Sequence, residues 1–226
     1  MATTRPERYE TLLDVTTASR LAEQVDAAAA ASPLKTTIVP SDEAMRLAAK
    51  IAAALDKEQN LVLFCGAVER DGSDLVSAQV ALALARIERE PVLLVDTNFS
   101  SPSLHSLFAV AAEPGISEMR LRKNSDDCLR LLEGGLSLLT CGDAAKACAD
   151  WPEYAHLLAK MAERFRWVIA SGPALPGGEA TLQTCNFDGT VLVTRSGRRR
   201  RQELADIQRE LASLKANLLG VVISQE

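Results

Sequence analysis

The chain has 226 residues, 47% of them hydrophobic, enough for one sizeable α/β domain with a substantial core. A formal net charge of −5 argues against a general nucleic-acid binder and leaves only a local basic patch open. There is no run of about 18 apolar residues to span a bilayer, and the polar start Met1–Glu10 does not read as a secretory signal.

Residues 1–38 read as an appendage or linker, with a short amphipathic stretch around Tyr9–Val25, the low-complexity Asp26–Ser32 and then Pro33. Residues 39–226 read as an α/β domain. Ser41 caps a helix predicted over 42–55. A strand at 61–65 and a helix at 75–88 follow, then a strand at 91–96 and helices at 101–108, 116–121 and 125–132. The remainder alternates: strand 136–140, helix 152–164, strand 166–171, helix 179–185, strand 189–194, helix 199–215 and strand 218–223. Short apolar strands separated by helices predict a doubly wound, mainly parallel sheet covered on both faces. Ligands in such sheets sit at the carboxyl ends of the strands, which here follow residues 64, 95, 170 and 223. Five scattered cysteines form no C-x-x-C pair and only two histidines accompany them, so a zinc site is not expected. Such usage fits small buried hydrophobes in a reducing cytoplasm.

The segment Phe64–Asp74 lies between a strand and a helix, where G-x-x-x-x-G-K-[ST] would cradle phosphates. Gly72 fits that pattern, but Ser73 stands at the lysine and Asp74 at the Mg-binding hydroxyl. Five further segments belong to the same series: Leu93–His105, Glu113–Ser117, Leu138–Gly142, Val168–Ala174 and Gly220–Ser224.

In order and spacing these six segments resemble the bacterial tyrosine autokinases of the CpsD/CapB type, of the MinD/ParA branch of P-loop ATPases. The resemblance covers roughly residues 38–226. It implies a P-loop ATPase fold and a role in capsule or exopolysaccharide export. Family members read A-V-P-G-E-G-K-S where this chain has Ala67–Asp74, and L-L-V-D-A-D where it has Leu93–Asn98. In the family's V-I-I-D-S-P-P the carboxylate falls at Ser171, and the terminal asparagine that contacts adenine falls at Ser224. Gly72, Ser73, Asp74, Asp96, Asn98 and Ser171 are thus the positions of a degenerate nucleotide pocket.

Ser73 removes a positive charge and Asp74 adds a negative one where phosphates would rest. At about 4 Å and an effective dielectric near 20, such a like-charge contact costs on the order of 4 kcal/mol, about a thousandfold in binding. Asn98 is a poorer metal ligand than a carboxylate, and Glu69 and Asp71 add negative charge. The implied function is a catalytically degenerate regulator or scaffold with no ATP, Mg²⁺ or other metal. It would sit in the cytoplasm, recruited to the inner face of the plasma membrane by a membrane polysaccharide co-polymerase or an intact tyrosine kinase. An active ATP-binding tyrosine kinase, with Arg70 as substitute cation, is the alternative. A ParA/MinD-like positioning module holding DNA or membrane through Arg198, Arg199, Arg200 and Arg201 is the second.

Several residues stay open between two readings. Asp96 is either a retained metal ligand or a hydrogen-bond partner at the switch point, and Asp74 with Asp96 is a candidate pair for a hard cation. His105 reads as a packing residue. The family's ring-forming E-x-x-R-x-x-R is matched by Glu43 and Arg46 but not by Ala49. Those two either support a homo-oligomer or pair with each other on a solvated helix face. Tyr9 is either a substrate of another kinase or an exposed aromatic, and the family's tyrosine-rich tail has no counterpart in the sequence.

Overall fold

The computed structural model describes residues 38–119, 121–122, 125–132, 134–146, 151–197 and 200–224. The chain divides into two units at Pro33–Leu34, and all of these residues belong to the second. Residues 1–37 of the expected extension, with Tyr9, and also Cys148, Arg198 and Arg199, lie outside the described residues.

Helix α1 (Asp42–Ala54) leads into β1 (Leu61–Gly66), α2 (Ser73–Glu88) and β2 (Val92–Asp96). The single turns α3 (Leu104–Leu107) and α4 (Ile116–Met119) precede a hairpin of β3 (Leu129–Leu131) and β4 (Leu136–Leu139). Then come α5 (Trp151–Ala162), β5 (Trp167–Ser171), α6 (Gly178–Thr184), β6 (Gly189–Arg195), α7 (Arg201–Ser213) and β7 (Leu218–Ser224). The strands form one sheet in the order β3-β4-β2-β5-β1-β6-β7. All neighbours are parallel except β3 and β4. This is the doubly wound architecture that the alternation of strands and helices predicts.

Strand side chains alternate between two cores, as the period of two requires. Val62, Phe64, Val92, Leu94, Trp167 and Ile169 face one core, which α1 and α2 cover with Ala48, Ile51 and the run Val80–Ala85. Leu63, Cys65, Leu93, Val95, Val168 and Ala170 face the other, closed by Trp151, Tyr154 and Leu158 of α5 and Ile207 and Leu211 of α7. β1, β2 and β5 are buried at every position, whereas β7, at the edge, is half-buried with Ile223 exposed. Helix α2 is buried nearly all round because α1 lies against its outer side. Ser41 caps α1 by accepting from Ala44 N–H (3.2 Å) and donates to Gln79 Oε1 on α2 (3.2 Å).

One predicted helix is a strand. Residues 125–132 form a 3₁₀ turn, Ser125–Cys128, followed by β3. Gly134 and Gly135 (φ 83° and 82°) adopt left-handed conformations that turn the chain back, so that Leu129–Leu131 pairs with Leu139–Ser137. A ladder with β4 is then available to backbone that a helix would otherwise use. The Arg130 guanidinium fixes the hairpin by donating to the carbonyls of Pro114 (3.0 Å) and Glu113 (2.9 Å). The helix predicted over 101–108 shrinks to Leu104–Leu107, since Pro102 disfavours helical backbone in the residue before it. No helix among the described residues is long and apolar enough to cross a membrane.

Leu84 is fully buried between α1 and the sheet, whereas Ile87 on the same helix is 42% exposed. Leu84→Ala is expected to lower unfolding free energy by about 2–5 kcal/mol. Ile87→Ala should change it by less than about 1 kcal/mol. Urea denaturation of the two variants measures both.

Candidate functional site

The loops at the carboxyl ends of β1, β2 and β5 meet, because register places Ser171 beside both Phe64 and Asp96. The β1 loop leaves the sheet with Ala67 N–H on Val193 O (2.7 Å) and enters α2 through Gly72, which has a left-handed φ of 83°. Arg70 also has a left-handed φ, 62°, where the resembling loops carry glycine, a strain on the order of 1 kcal/mol. Ser73 and Asp74 form the first turn of α2, and no side chain caps its start. Asp74 accepts from Leu75 N–H with Oδ1 (2.8 Å), and its carbonyl accepts from Ser77 Oγ (2.9 Å).

Asp71 is a site residue that residue typing along the loop misses. Its side chain is fully buried and accepts Val68 N–H with Oδ2 (3.1 Å), while its carbonyl accepts from Ser224 Oγ (3.5 Å). An aspartate close to glycine in a loop commonly bonds nearby backbone, which is the signal that was available.

Asp96 ends β2 and is also fully buried. Its Oδ2 accepts from Ser103 N–H (2.9 Å) and Leu104 N–H (3.0 Å), and its Oδ1 from Asn98 N–H (3.1 Å). The carboxylate thereby holds the 97–103 loop and the start of α3. Burial, the largest influence, raises its carboxyl to about 6 from an ordinary 3.8, against the lowering effect of those N–H groups and of His105. Asn98 turns its Oδ1 to Ser101 N–H (3.1 Å), and the Ser171 carbonyl accepts from Thr97 N–H (2.9 Å). Buried Gln183 of α6 donates to Thr97 O (2.8 Å), with its Oε1 on the Thr97 hydroxyl (2.9 Å).

Between these loops opens a cleft of about 400 Å³. Val68, Glu69, Asn98 and Ser100 line one side and Pro173–Ala180 the other. Its two ionisable walls, Glu69 and Glu179, are both acidic. Ser100 Oγ donates to Glu179 (3.0 Å). The field beneath is negative: burial first, and then Asp96, Glu118, Glu179 and Asp143, push the Cys141 thiol up to about 12. Burial and Glu179 likewise push Cys65 far up. Cys185, at the end of α6, is exposed.

Of the expected pocket positions Asn98 lines the cleft, whereas Gly72, Ser73, Asp74, Asp96 and Ser171 do not, and the remaining expected residues also lie away from its walls. Glu43 and Arg46 are exposed on the outer face of α1, opposite buried Ala44 and Ala48, and form no ion pair with each other among the described residues. Arg200 and Arg201 are exposed at the start of α7, where Glu203 accepts the Arg200 N–H (2.9 Å) and places a carboxylate in the first turn. His105 is half-buried, with Nε2 3.0 Å from Ser106 Oγ. Arg70 is exposed and does not line the cleft.

No family model matches the chain. The tyrosine-protein kinase YwqD of Bacillus subtilis is 26% identical over 180 residues, which make up 76% of this chain and 75% of YwqD. The chain is thus similar to bacterial tyrosine kinases over three quarters of its length. The tyrosine-protein kinase Etk of Escherichia coli is 23% identical over 186 residues, 76% of this chain but only 24% of Etk. The solved kinase domain of Etk superposes with a TM-score of 0.71 at 23% identity, covering 81% of this chain and 74% of that domain. The septum site-determining protein MinD of Pyrococcus horikoshii, solved with Mg-ADP, shares the fold at a TM-score of 0.60 and 17% identity, over 73% of this chain and 70% of MinD.

Because Asp96 holds its proton more tightly in the folded chain, its contribution to stability is complete below about pH 4 and lost as pH rises through about 6. That share is on the order of 3 kcal/mol. Asp96→Asn cannot ionise and should lack this part of the slope. Urea titrations of both proteins at a series of pH values from about 4 to 7 check it.

Proposed function

We propose that this chain is a catalytically silent relative of the bacterial tyrosine kinases that acts as a regulatory or scaffolding partner in exopolysaccharide synthesis and export. The observation that carries this reading is the start of α2, where phosphates would rest and where the chain presents Ser73 and Asp74 in place of an ammonium and a metal-binding hydroxyl. In phosphoryl transfer the lysine and Mg²⁺ neutralise charge that develops on the transferred group. Here the ionisable walls of the neighbouring cleft are both carboxylates, and each adds repulsion toward a triphosphate.

The metal positions support the same reading. Three backbone N–H groups already surround the Asp96 carboxylate, Asn98 is neutral and bonded to its own loop, and Ser171 offers no charge. This donor set does not suit Mg-ATP, so nucleotide chemistry is no part of the proposed activity. The chain works through its surfaces. Its partner is an intact tyrosine kinase or the membrane polysaccharide co-polymerase, which brings it to the inner face of the plasma membrane. The outer face of α1, with Glu43 and Arg46, and the basic start of α7, with Arg200 and Arg201, are the contact regions, and α1 also serves self-association.

Millimolar ATP with Mg²⁺ is expected to shift the melting temperature by less than about 1 °C, as a ligand far below its dissociation constant does. No tyrosine phosphorylation should be detected with radiolabelled ATP. Saturable stabilisation by several degrees, or turnover abolished by Asp96→Asn, would establish the kinase reading instead. Arg46→Glu should also reduce co-purification with an intact kinase of the same system, measured with both proteins purified. Unchanged recovery removes α1 from the contact.

A further inference from the structure

In the loop after β1 one backbone N–H is bonded by a side chain of the same loop. Backbone N–H groups of such loops converge on an anion supplied from outside. In this chain Val68 N–H is bonded instead by Asp71 Oδ2 at 3.1 Å, and Asp71 is fully buried, with Oδ1 making no hydrogen bond among the described residues. The two left-handed residues, Arg70 and Gly72, bracket Asp71. The turn is tight enough that a Cβ at Gly66 would lie 2.5 Å from Val68 O and 3.4 Å from Asp71 Cβ, so the aspartate packs against the end of β1. Both flanks are stitched to other strands and loops: Ala67 N–H to Val193 O, Leu175 N–H to Gly66 O (2.8 Å), and Ser224 Oγ to Asp71 O.

We propose that the Asp71 carboxylate is an internal anion that locks the 67–72 loop shut against external phosphate. This deepens the reading above and rests on it for the identity of the site, though not for the partner. The lock and the missing lysine are separate barriers. A phosphate oxygen that approaches the loop must compete with a covalently attached carboxylate for the Val68 N–H, and it meets a second negative charge as it does so. Restoring the ammonium and the hydroxyl at 73 and 74 therefore leaves the loop closed. Glu69, in the same loop, carries the same charge but is exposed and makes no bond to Val68 N–H, so it separates the effect of geometry from that of charge.

The test has a ligand-free and a ligand-binding arm. In the unmodified chain the Val68 amide should exchange slowly with solvent, as read by NMR. Asp71→Ala should accelerate it by about tenfold or more, as loss of a protecting hydrogen bond does, while Glu69→Gln leaves it unchanged. For binding, Mg-ATP is titrated calorimetrically into S73K/D74S alone and combined with Asp71→Ala or Glu69→Gln. The Asp71 change should tighten binding by about tenfold or more, a step of 1.4 kcal/mol. The Glu69 change should do much less. Fast Val68 exchange in the unmodified chain overturns the lock without any variant. Equal gains from the two substitutions also overturn it, since net charge would then account for both. ATP binding by the unmodified chain would sink the proposed function, while Val68 exchange still reports on the lock by itself.

Discussion

A carboxylate removed from water organises the carboxyl edge of this sheet. Asp96 ends β2 where no solvent reaches it, and an ionised or neutral carboxyl in such a place must find donors in the protein. It finds three backbone N–H groups in the segment that follows, and these bonds set the path of residues 97–103 and the position of α3. The neighbouring polar groups obey the same constraint. Thr97 and Gln183 satisfy one another across the sheet edge, Asn98 bonds Ser101, and Asp71 bonds Val68. Much of the hydrogen-bonding capacity along this edge is therefore taken up from within.

The framework beneath this edge was legible from residue types alone. Runs such as Leu61–Cys65 and Trp167–Ala170 are too apolar to face water on either side, and their spacing leaves room for crossover helices, so the parallel sheet follows. The two cores then divide the strands' odd and even side chains without exception through β1, β2 and β5. The meeting of the loops after β1, β2 and β5 at one sheet edge was legible too, since a doubly wound sheet gathers them there, and the series of motifs pointed to the tyrosine kinases that the comparisons with known proteins then supplied.

What escaped was set by long-range contacts. Leu129–Leu131 has the composition of a helix end, and only the two left-handed glycines after it and the available edge of β4 make it a strand. Arg130 reads as a solvated cation until the Glu113–Pro114 carbonyls are brought 2.9–3.0 Å from it. Asp71 reads as one more loop charge, because burial of a single side chain depends on how sharply Gly66 and Gly72 bend the backbone around it. Arg70 is the mirror case: the loop takes a left-handed turn at a residue that carries a Cβ, which residue type alone does not suggest.

The cysteines differ in a way that has a practical use. Cys65, Cys128 and Cys141 are sealed in the core with thiols held in the protonated, unreactive form, whereas Cys185 stands in solvent at the end of the helix that walls the cleft. Among the described cysteines, an electrophilic dye or spin label would therefore attach at that helix alone. Movement of the cleft's wall when a partner arrives would become visible through a label at Cys185.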